Sequence, residues 1–281
     1  HFYGSPPEAP IEFKAQIVGH NRVMLSWDHT GKKAEGYYIY RAVNNGQRQL
    51  LRMMDIDEKS FTDTSPVPGS TVQYFITAFN TAGESAAKSV RISIPENRAF
   101  KDVGTVKWAQ DAIYTLLGKG AFEYGNGYFR PQSLVTKGEA VRWVLRSFDI
   151  PYDNMGLFIP SDVSPQNPYY RDLVTAVNLG IIHPDEYDRV FPGKVMTRRD
   201  MVILLTNALN YLGIPLFTAS EEVLLRFNDH YGIAPSERHI ISSFVAFEIM
   251  TGDGKNLNLS AGATRAEAAV LTYRILKRYL D

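Results

Sequence analysis

The sequence predicts a chain of two parts: an all-β sandwich followed by a mainly helical region in which one unit is repeated three times. Up to about residue 96, short β-favouring runs alternate with Pro and Gly turn signals, which is typical of a sandwich. Beyond it, the segment that begins at Thr136 recurs at Thr197 and at Thr264. An aspartate precedes these copies by 34, 35 and 35 residues, at Asp102, Asp162 and Asp229. Two landmarks that keep register three times indicate an internal repeat.

The composition narrows the possible classes of function. The 281 residues carry 30 basic and 30 acidic side chains, and this balance gives no support for a nucleic-acid partner. No apolar run approaches the roughly 18 residues that indicate a membrane span. The chain has no cysteine, which excludes disulfides and thiolate metal sites. The histidines lack metal-ligand spacing and no catalytic motif is present, so we expect no enzyme, no cofactor and no metal.

The first part shows four strand-like runs, with Trp27 as a predicted core residue. The runs are Val23 to Trp27, Tyr37 to Arg41, Val72 to Phe79 and Ser89 to Ile94. Trp27, the Gly36 to Arg41 run, Pro68-Gly69 leading to Tyr74, and the Ala78 to Ser85 run carry a resemblance to a fibronectin type III domain over residues 5–96. The resemblance implies an immunoglobulin-like sandwich that acts as a spacer. Val72 stands where the family often has a corner tyrosine, so we expect that tyrosine's hydrogen bond to be missing.

After a linker predicted at Pro95 to Arg98, each copy of the repeat predicts a helix, a loop and a second helix. A further short helix is expected at Ser220 to Leu225. The predicted helix pairs are Val106 to Gly118 with Thr136 to Phe148, Arg171 to Leu179 with Thr197 to Leu212, and Glu237 to Met250 with Thr264 to Leu280.

Each second helix is predicted to begin with a capping box, and each box contains a cation. Thr136, Thr197 and Thr264 are the caps, and Glu139, Asp200 and Glu267 reach back to them. The residue after each cap is Lys137, Arg198 or Arg265, although a cation in the first turn opposes the helix dipole. Three such cations indicate an anionic ligand, because a helix N-terminus already favours anions through its free amides. The alternative stays open that these cations pair with Asp102, Asp162 and Asp229.

The repeat motifs resemble three consecutive S-layer homology (SLH) domains, over residues 99–152, 159–214 and 224–281. The matching segments are Phe100 to Val103, Trp108-Ala109, Phe129 to Pro131 and Thr136 to Glu139; Ser161 to Val163, Gly180 to Ile182, Phe191-Pro192 and Thr197 to Asp200; and Phe227 to Asp229, Ile249 to Gly254 and Thr264 to Glu267. The resemblance implies a pseudo-threefold SLH trimer of helix-loop-helix repeats. It further implies non-covalent anchoring to secondary cell wall polysaccharide of Gram-positive bacteria, often through a terminal pyruvylated N-acetylmannosamine.

The resemblance also implies ligand-binding residues in grooves between neighbouring repeats. Lys137, Arg198 and Arg265 would engage the carboxylate of the pyruvate ketal. Asp102, Asp162 and Asp229 would accept sugar hydroxyl hydrogen bonds or orient the cations. Trp108 would pack against the sugar, with Tyr169 as its substitute in the second repeat. Because the family glycines are incomplete, we expect unequal grooves, and the groove with Arg198, or the one with Arg265 and Gly252, is expected to be intact.

The implied setting is the extracellular cell-wall or S-layer surface, with wall polysaccharide and possible further cell-surface proteins as partners. Two alternatives remain open at this point. The chain could be a structural S-layer or scaffold component that acts by protein–protein assembly. It could also be the non-catalytic C-terminal part of a secreted glycan-active enzyme.

Overall fold

The structure, a computed structural model, describes residues 4–18, 22–29, 31, 33–96, 99–152 and 158–280. The chain forms two compact units. The first unit comprises His1–Gly104 with Tyr124–Phe129, and the second comprises Thr105–Glu123 with Arg130–Asp281. Asn97 and Arg98 of the predicted linker, and the terminal Asp281 of the predicted third repeat, lie outside the described residues.

The first unit is a sandwich of two antiparallel sheets. One sheet has the strand order β1-β2-β5; in the other, β4-β3-β6-β7 lie side by side and β8 also pairs with β6. The four predicted strands are present as β2, β3, β6 and β8, and the four other strands were not predicted from the sequence. The strands are β1 Ile11–Ile17, β2 Val23–Asp28, β3 Gly36–Val43, β4 Gln49–Asp55, β5 Ser60–Asp63, β6 Thr71–Asn80, β7 Gly83–Glu84 and β8 Lys88–Ser93.

Aromatic side chains dominate the sandwich core. Trp27 is buried as predicted, and its ring meets Tyr37 edge-on at 5.5 Å between centroids. Beside the core, Tyr74 donates a hydrogen bond from its buried hydroxyl to Asp63 over 2.7 Å. Asp63 also pairs with Arg41 at 2.9 Å, so its buried charge is compensated. The expected gap in tyrosine hydrogen bonding at Val72 is therefore filled by Tyr74, two residues further along the same strand.

The second unit is helical, and its described elements follow the predicted pairs closely. The first helix of the first copy begins later than predicted, because Val103–Ala109 forms a 3₁₀ stretch with a kink at Val106. The short helix expected near Ser220 is a 3₁₀ helix, Glu221–Arg226. The α-helices are α1 Gln110–Gly118, α2 Lys137–Ser147, α3 Tyr170–Asn178, α4 Arg198–Tyr211, α5 Arg238–Ala246 and α6 Arg265–Ile275, and a final π-helical turn covers Leu276–Leu280.

All three predicted capping boxes are present. In α2, the Thr136 hydroxyl accepts from the Glu139 amide and the Glu139 carboxylate accepts from the Thr136 amide. Thr197 and Asp200 make the same pair of bonds in α4, even though the aspartate is shorter. Thr264 and Glu267 repeat them in α6. Each box satisfies two orphan amides of its helix, which explains why these residue types recur at this spacing.

The three second helices are joined through their first turns in a closed cycle. The Lys137 and Gly138 amides of α2 donate to the carbonyls of Lys194 and Pro192 in the loop before α4. The first two amides of α4 donate in the same way to Ala261 and Leu259 in the loop before α6. The first two amides of α6 donate back to Ser133 and Pro131 in the loop before α2. Short antiparallel bridges join the same three segments: Leu134 with Thr264, Thr136 with Val195, and Thr197 with Gly262.

A left-handed residue ends the turn after each first helix. Gly120 has a φ of 73° and Gly180 a φ of 70°, both easily adopted by glycine. The third copy has Glu248 at this place, with a φ of 58°. A side chain in this conformation is strained by about 1–2 kcal/mol.

Among the described residues, no helix is both long and apolar enough to cross a bilayer.

Candidate functional site

The cation of the second copy, Arg198, lies at the first position of α4 and pairs with the third copy. Its Nη1 atom is 3.0 Å from Oε1 of Glu267, and its Nε atom donates to the Leu257 carbonyl over 2.9 Å. Glu267 is the capping-box acid of α6. One carboxylate therefore both caps its own helix and holds the cation of the preceding copy.

The cation of the third copy, Arg265, makes the corresponding contact with the first copy. Its Nη1 atom contacts Oε1 of Glu139, the capping-box acid of α2. Its guanidinium also lies over the ring of Trp143, 5.0 Å from the centroid. The partners of Arg198 and Arg265 are thus the capping acids of another copy, whereas the sequence alternative had named the upstream aspartates.

Lys137, the cation of the first copy, differs from the other two. Its ammonium has no hydrogen-bond or ion-pair partner among the described residues. The capping acid that could pair with it, Asp200, instead pairs with Lys194, with 3.6 Å between Oδ2 and Nζ. Burial lowers the pKa of Lys137, and the positive charge of Lys194 lowers it further, against the opposing pull of Asp200. Asp162 and Asp185 also raise the pKa of Lys137, but burial and Lys194 outweigh the carboxylates, and none of the three forms an ion pair with the half-buried ammonium.

The structure corrects the argument that free helix amides would attract an anion at these cations. The first two amides of each helix donate to carbonyls of a neighbouring loop, and the third donates to the capping threonine hydroxyl. These amides are already satisfied, so they add no anion site of the kind found at open helix N-termini. Any preference for an anion must come from the side chains.

The three upstream aspartates hold loops. Asp162 accepts hydrogen bonds from the amides of Val190 and Phe191, at 2.9 and 2.7 Å. Asp229 accepts from the amides of Leu257 and Asn258, at 2.9 and 2.8 Å. Within the first unit, Asp102 accepts from the Phe129 amide at 3.0 Å. This shared role in fixing the second loop of each copy accounts for the constant spacing that the sequence shows.

A pocket of about 230 Å³ brings together residues from all three copies of the repeat. Trp108, from the first copy, is 60% exposed and lines it. Arg198 comes from the second copy, and Glu267 and Arg274 come from α6. The backbone of the turn from Ile249 to Gly252 closes the remaining side. We call this the Trp108 pocket.

Gly252 lies in the Trp108 pocket, and the expectation that it accompanies Arg265 is wrong. Its φ is 67°, and a Cβ atom there would lie 2.3 Å from the backbone oxygen of Asn256. No other residue fits this position without moving the backbone of the turn. Glycine is thus required by the turn itself, and it leaves that wall of the pocket free of a side chain.

A second pocket, of about 220 Å³, has the same construction around Lys137. Lys137 takes the place of Arg198, and Asp200 takes the place of Glu267. The turn from Ile181 to His183 corresponds to the turn at Ile249, and Asn207 corresponds to Arg274. An adjoining cavity of about 450 Å³ extends from Lys137 to Lys194, Arg189 and Phe191. We call the first of these the Lys137 pocket.

At the junction between the third and first copies, where Arg265 contacts Glu139, aromatic rings lie beside the ion pair. Trp143 is 1% exposed, lies one turn after Glu139 and contacts Phe122 with ring centroids 5.0 Å apart. Tyr169 lies against Gly138, where a Cβ atom would be 2.4 Å from the ring. Tyr169 thus belongs to the junction of Arg265 and Glu139. Trp108 precedes the left-handed Gly120 by 12 residues, whereas Tyr169 precedes the left-handed Gly180 by 11. The two aromatic residues are therefore not at equivalent positions of the repeat.

The residue seven positions after each capping acid contacts a turn, and this role was not predicted from the sequence. Arg274 donates to the Ile249 carbonyl at 3.1 Å, and Asn207 donates to the Ile181 carbonyl at 3.0 Å. Arg146 donates similarly to Gly120 at 3.2 Å. These side chains fix the turns that line the pockets. A long polar residue at the same helical position in every copy was the available signal.

Among the described residues, no group of three or more His, Asp or Glu side chains is placed to hold a metal ion. The polar side chains of the two pockets carry ammonium, guanidinium, carboxamide, carboxylate, hydroxyl and imidazole groups. Together with an exposed indole, these groups suit recognition of a polar ligand with one apolar face and a negative charge.

Comparison with known proteins identifies part of the chain. Residues 99–141 match the S-layer homology domain. No curated protein sequence matches the chain. An S-layer homology domain, a class of module that anchors proteins at the cell surface by binding cell-wall polysaccharide, is therefore present.

Solved structures similar to the N-terminal part are fibronectin type III modules. FN3tt is 20% identical over 33% of this chain and 98% of its own, with a TM-score of 0.30. The FN1–FN3 domains of chicken CNTN1 are 22% identical over 32% of this chain and 33% of theirs, with a TM-score of 0.30. The twitchin kinase region from C. elegans is 19% identical over 35% of this chain and 18% of its own, with a TM-score of 0.29.

Proposed function

We propose that this chain is a non-covalent anchoring module that binds the secondary cell wall polysaccharide of Gram-positive bacteria. In this proposal three SLH repeats form a pseudo-threefold trimer, the fibronectin type III unit acts as a spacer, and the module works outside the cell. The matched domain at residues 99–141 supports the class of function. The closed cycle of contacts among the three capping segments supports the trimer.

The observation that carries the proposal is the exposed indole of Trp108 beside the guanidinium of Arg198. The Trp108 side chain is 60% exposed, so a ligand that covers its ring would remove apolar surface from water, which favours binding. The apolar face of a pyranose ring can cover an indole, while its hydroxyls bond with Glu267 and Arg274 at the pocket wall. The flat ring with cations around it is the arrangement expected of a sugar site.

The size of the Trp108 pocket favours the end of a glycan over its middle. Ligand pockets generally measure roughly 300–1,000 Å³. The Trp108 pocket measures about 230 Å³, so it accepts a small, end-on group such as a terminal sugar. The Lys137 pocket measures about 220 Å³ and adjoins the cavity of about 450 Å³, so it has room for a sugar with its substituent.

The unpartnered ammonium of Lys137 supports an anionic substituent on that sugar. Arg198 and Arg265 are held by carboxylates, whereas Lys137 forms no ion pair among the described residues. The carboxylate of a pyruvate ketal would supply a direct ion-pair partner and would raise the lowered pKa of Lys137 toward its usual value. We therefore assign the sugar that carries the carboxylate to the Lys137 pocket, and a separate sugar ring contact to Trp108, because the two pockets share no lining residue.

Calorimetric titration with purified, pyruvylated wall polysaccharide and its depyruvylated form tests the proposal. The variants are Trp108→Ala and Lys137→Gln, and Tyr231→Ala is the control because Tyr231 is 86% exposed and lines neither pocket. Trp108→Ala should weaken binding by about tenfold to a hundredfold, since burial of a large apolar side chain contributes roughly 1.5–3 kcal/mol. Lys137→Gln should weaken binding only to the pyruvylated form.

Absence of binding by the wild-type chain to both forms would contradict the proposal. In that case concentration-dependent self-association, measured by sedimentation, would favour a scaffold role. Equal weakening by Trp108→Ala and Tyr231→Ala would place the glycan elsewhere on the chain.

A further inference from the structure

Another cavity in the helical unit has a chemistry different from that of the Trp108 and Lys137 pockets. It lies between α2 and the start of α3 and measures about 340 Å³, within the usual range of ligand pockets. It shares no lining residue with the Trp108 or Lys137 pocket. Its walls are formed by Arg142, Arg146, Tyr152, Pro165, Asn167, Pro168, Tyr170, Arg171 and Asp172. We call it the arginine pocket.

The one carboxylate of the arginine pocket is already fully engaged. Asp172 is buried to 98% and accepts from Nε of Arg142 at 3.0 Å and from the hydroxyl of Tyr152 at 2.5 Å. Arg142 also donates to the Pro168 carbonyl. Asp172 therefore balances Arg142 and orients it, and no carboxylate of the pocket is left for the other two guanidiniums.

Arg146 and Arg171 bring two further positive charges to the same cavity. Their guanidinium carbons lie 5.9 and 5.7 Å from the centroid of the Tyr152 ring. Neither pairs with a carboxylate among the described residues; Arg146 donates to the Gly120 carbonyl and also hydrogen-bonds with the Tyr152 side chain. With Arg142 balanced by Asp172, the pocket has an excess of two positive charges.

The tyrosine at the centre of the pocket does not supply the missing negative charge. Burial, together with the hydrogen bond to Asp172 and its negative charge, raises the pKa of Tyr152 to about 12. Its hydroxyl stays protonated at neutral pH and donates to Asp172. The counter-charge must come from solvent ions or from a ligand.

We propose that the arginine pocket binds a phosphate group as a dianion, either free or as a monoester on a glycan. A phosphate monoester carries roughly 1.5–2 negative charges at neutral pH on three acceptor oxygens. It matches the excess of two charges with one compact group, whereas a carboxylate brings only one. Guanidinium groups bind such oxyanions through paired N–H donors, and Arg146 and Arg171 approach the ring of Tyr152 at similar distances.

Titration calorimetry on the complete chain tests this site with inorganic phosphate, N-acetylglucosamine 1-phosphate and acetate. The test variant is Arg171→Gln, because Arg171 makes no ion pair that folding would lose. The matched control is Arg226→Gln, an exposed arginine outside the three pockets. The titration is run at about pH 8, since the second pKa of a phosphate monoester is about 6. Circular dichroism of each variant checks that the helices are retained.

The expected result is phosphate binding that Arg171→Gln weakens by about tenfold, equivalent to about 1.4 kcal/mol, and that Arg226→Gln leaves unchanged. Tighter binding of the sugar phosphate than of inorganic phosphate indicates a glycan ester as the source; equal binding indicates that the phosphate group suffices. No phosphate binding up to about 10 mM, equal loss in both variants, or acetate binding as tight as phosphate would each overturn the proposal. Trp108→Ala, which impairs the proposed wall binding, should leave this binding unchanged.

Discussion

The contact between Gly138 and Tyr169 gives the sharpest prediction about how the repeats hold one another. A Cβ atom on Gly138 would lie 2.4 Å from Cδ2 of the Tyr169 ring. Carbon atoms are in optimal contact at about 3.5–4.0 Å, so the ring must move by about 1 Å to accept it. The ring is also held by the guanidinium of Arg142, 4.5 Å from its centroid. Gly138→Ala should therefore disturb the packing of the Tyr169 ring against the start of α2.

Two opposing effects determine the magnitude. Alanine favours a helix over glycine by about 1 kcal/mol, and overpacking costs about 1–3 kcal/mol. The difference between the two effects predicts that Gly138→Ala destabilises the helical unit by up to about 2 kcal/mol in the wild-type background. In a Tyr169→Ala background the clash is absent, and the same substitution should stabilise the unit by up to about 1 kcal/mol.

Urea unfolding followed by far-ultraviolet circular dichroism measures this cycle, because the helices lie in the second unit and the first is β-sheet. Gly193→Ala is the matched control, since a Cβ atom at Gly193 has no neighbour within 4 Å. The reversal of sign between the two backgrounds is the critical result. If Gly138→Ala stabilised the wild-type chain as much as the Tyr169→Ala chain, the close contact would be refuted.

Three further predictions concern stability. Glu248→Gly should raise the free energy of unfolding by about 1 kcal/mol because it relieves a left-handed side chain, and an unchanged or lower free energy of unfolding would contradict this. Asp162→Ala removes the acceptor of two loop amides and should cost about 3 kcal/mol or more in urea unfolding, so a cost below about 1 kcal/mol would show that the loop is held otherwise. Burial alone would raise the pKa of Asp63, but the charge of Arg41 and the Tyr74 hydroxyl outweigh it and hold the pKa below its usual value. The sandwich should therefore be stabilised above the unfolded pKa of about 3.9 and lose that stability as pH falls further, and a melting temperature that rose on acidification would refute the assignment.

The features that the sequence predicted best depend on local chemistry. A capping box needs only a threonine and an acid three positions later, so Thr136 with Glu139 could be recognised without knowledge of the fold. The helices followed from apolar periodicity for the same reason. Strand β4 was missed because its run from Gln49 to Asp55 lies at a sheet edge and does not alternate between buried and exposed residues.

The partners of the site residues could not be predicted because they come from other copies of the repeat. Arg198 and Glu267 are 69 positions apart, and the sequence pattern does not say which capping acid each cation meets. The resemblance implied ligand contacts for Asp162 and Asp229, and in the structure their carboxylates accept hydrogen bonds from loop amides. Only the closed cycle of three copies brings Trp108 and Arg198 into one pocket.

Fluorescence quenching of Trp108 tests the central claim most directly. Of the three tryptophans in the chain, Trp27 and Trp143 are 4% and 1% exposed, so acrylamide should quench Trp108 almost alone. Addition of purified pyruvylated wall polysaccharide should protect this emission in a saturable manner, and the protection should disappear in Trp108→Phe, whose remaining emission is already shielded. Unchanged quenching of Trp108 at saturating polysaccharide would contradict the assignment of this pocket as the wall-binding site.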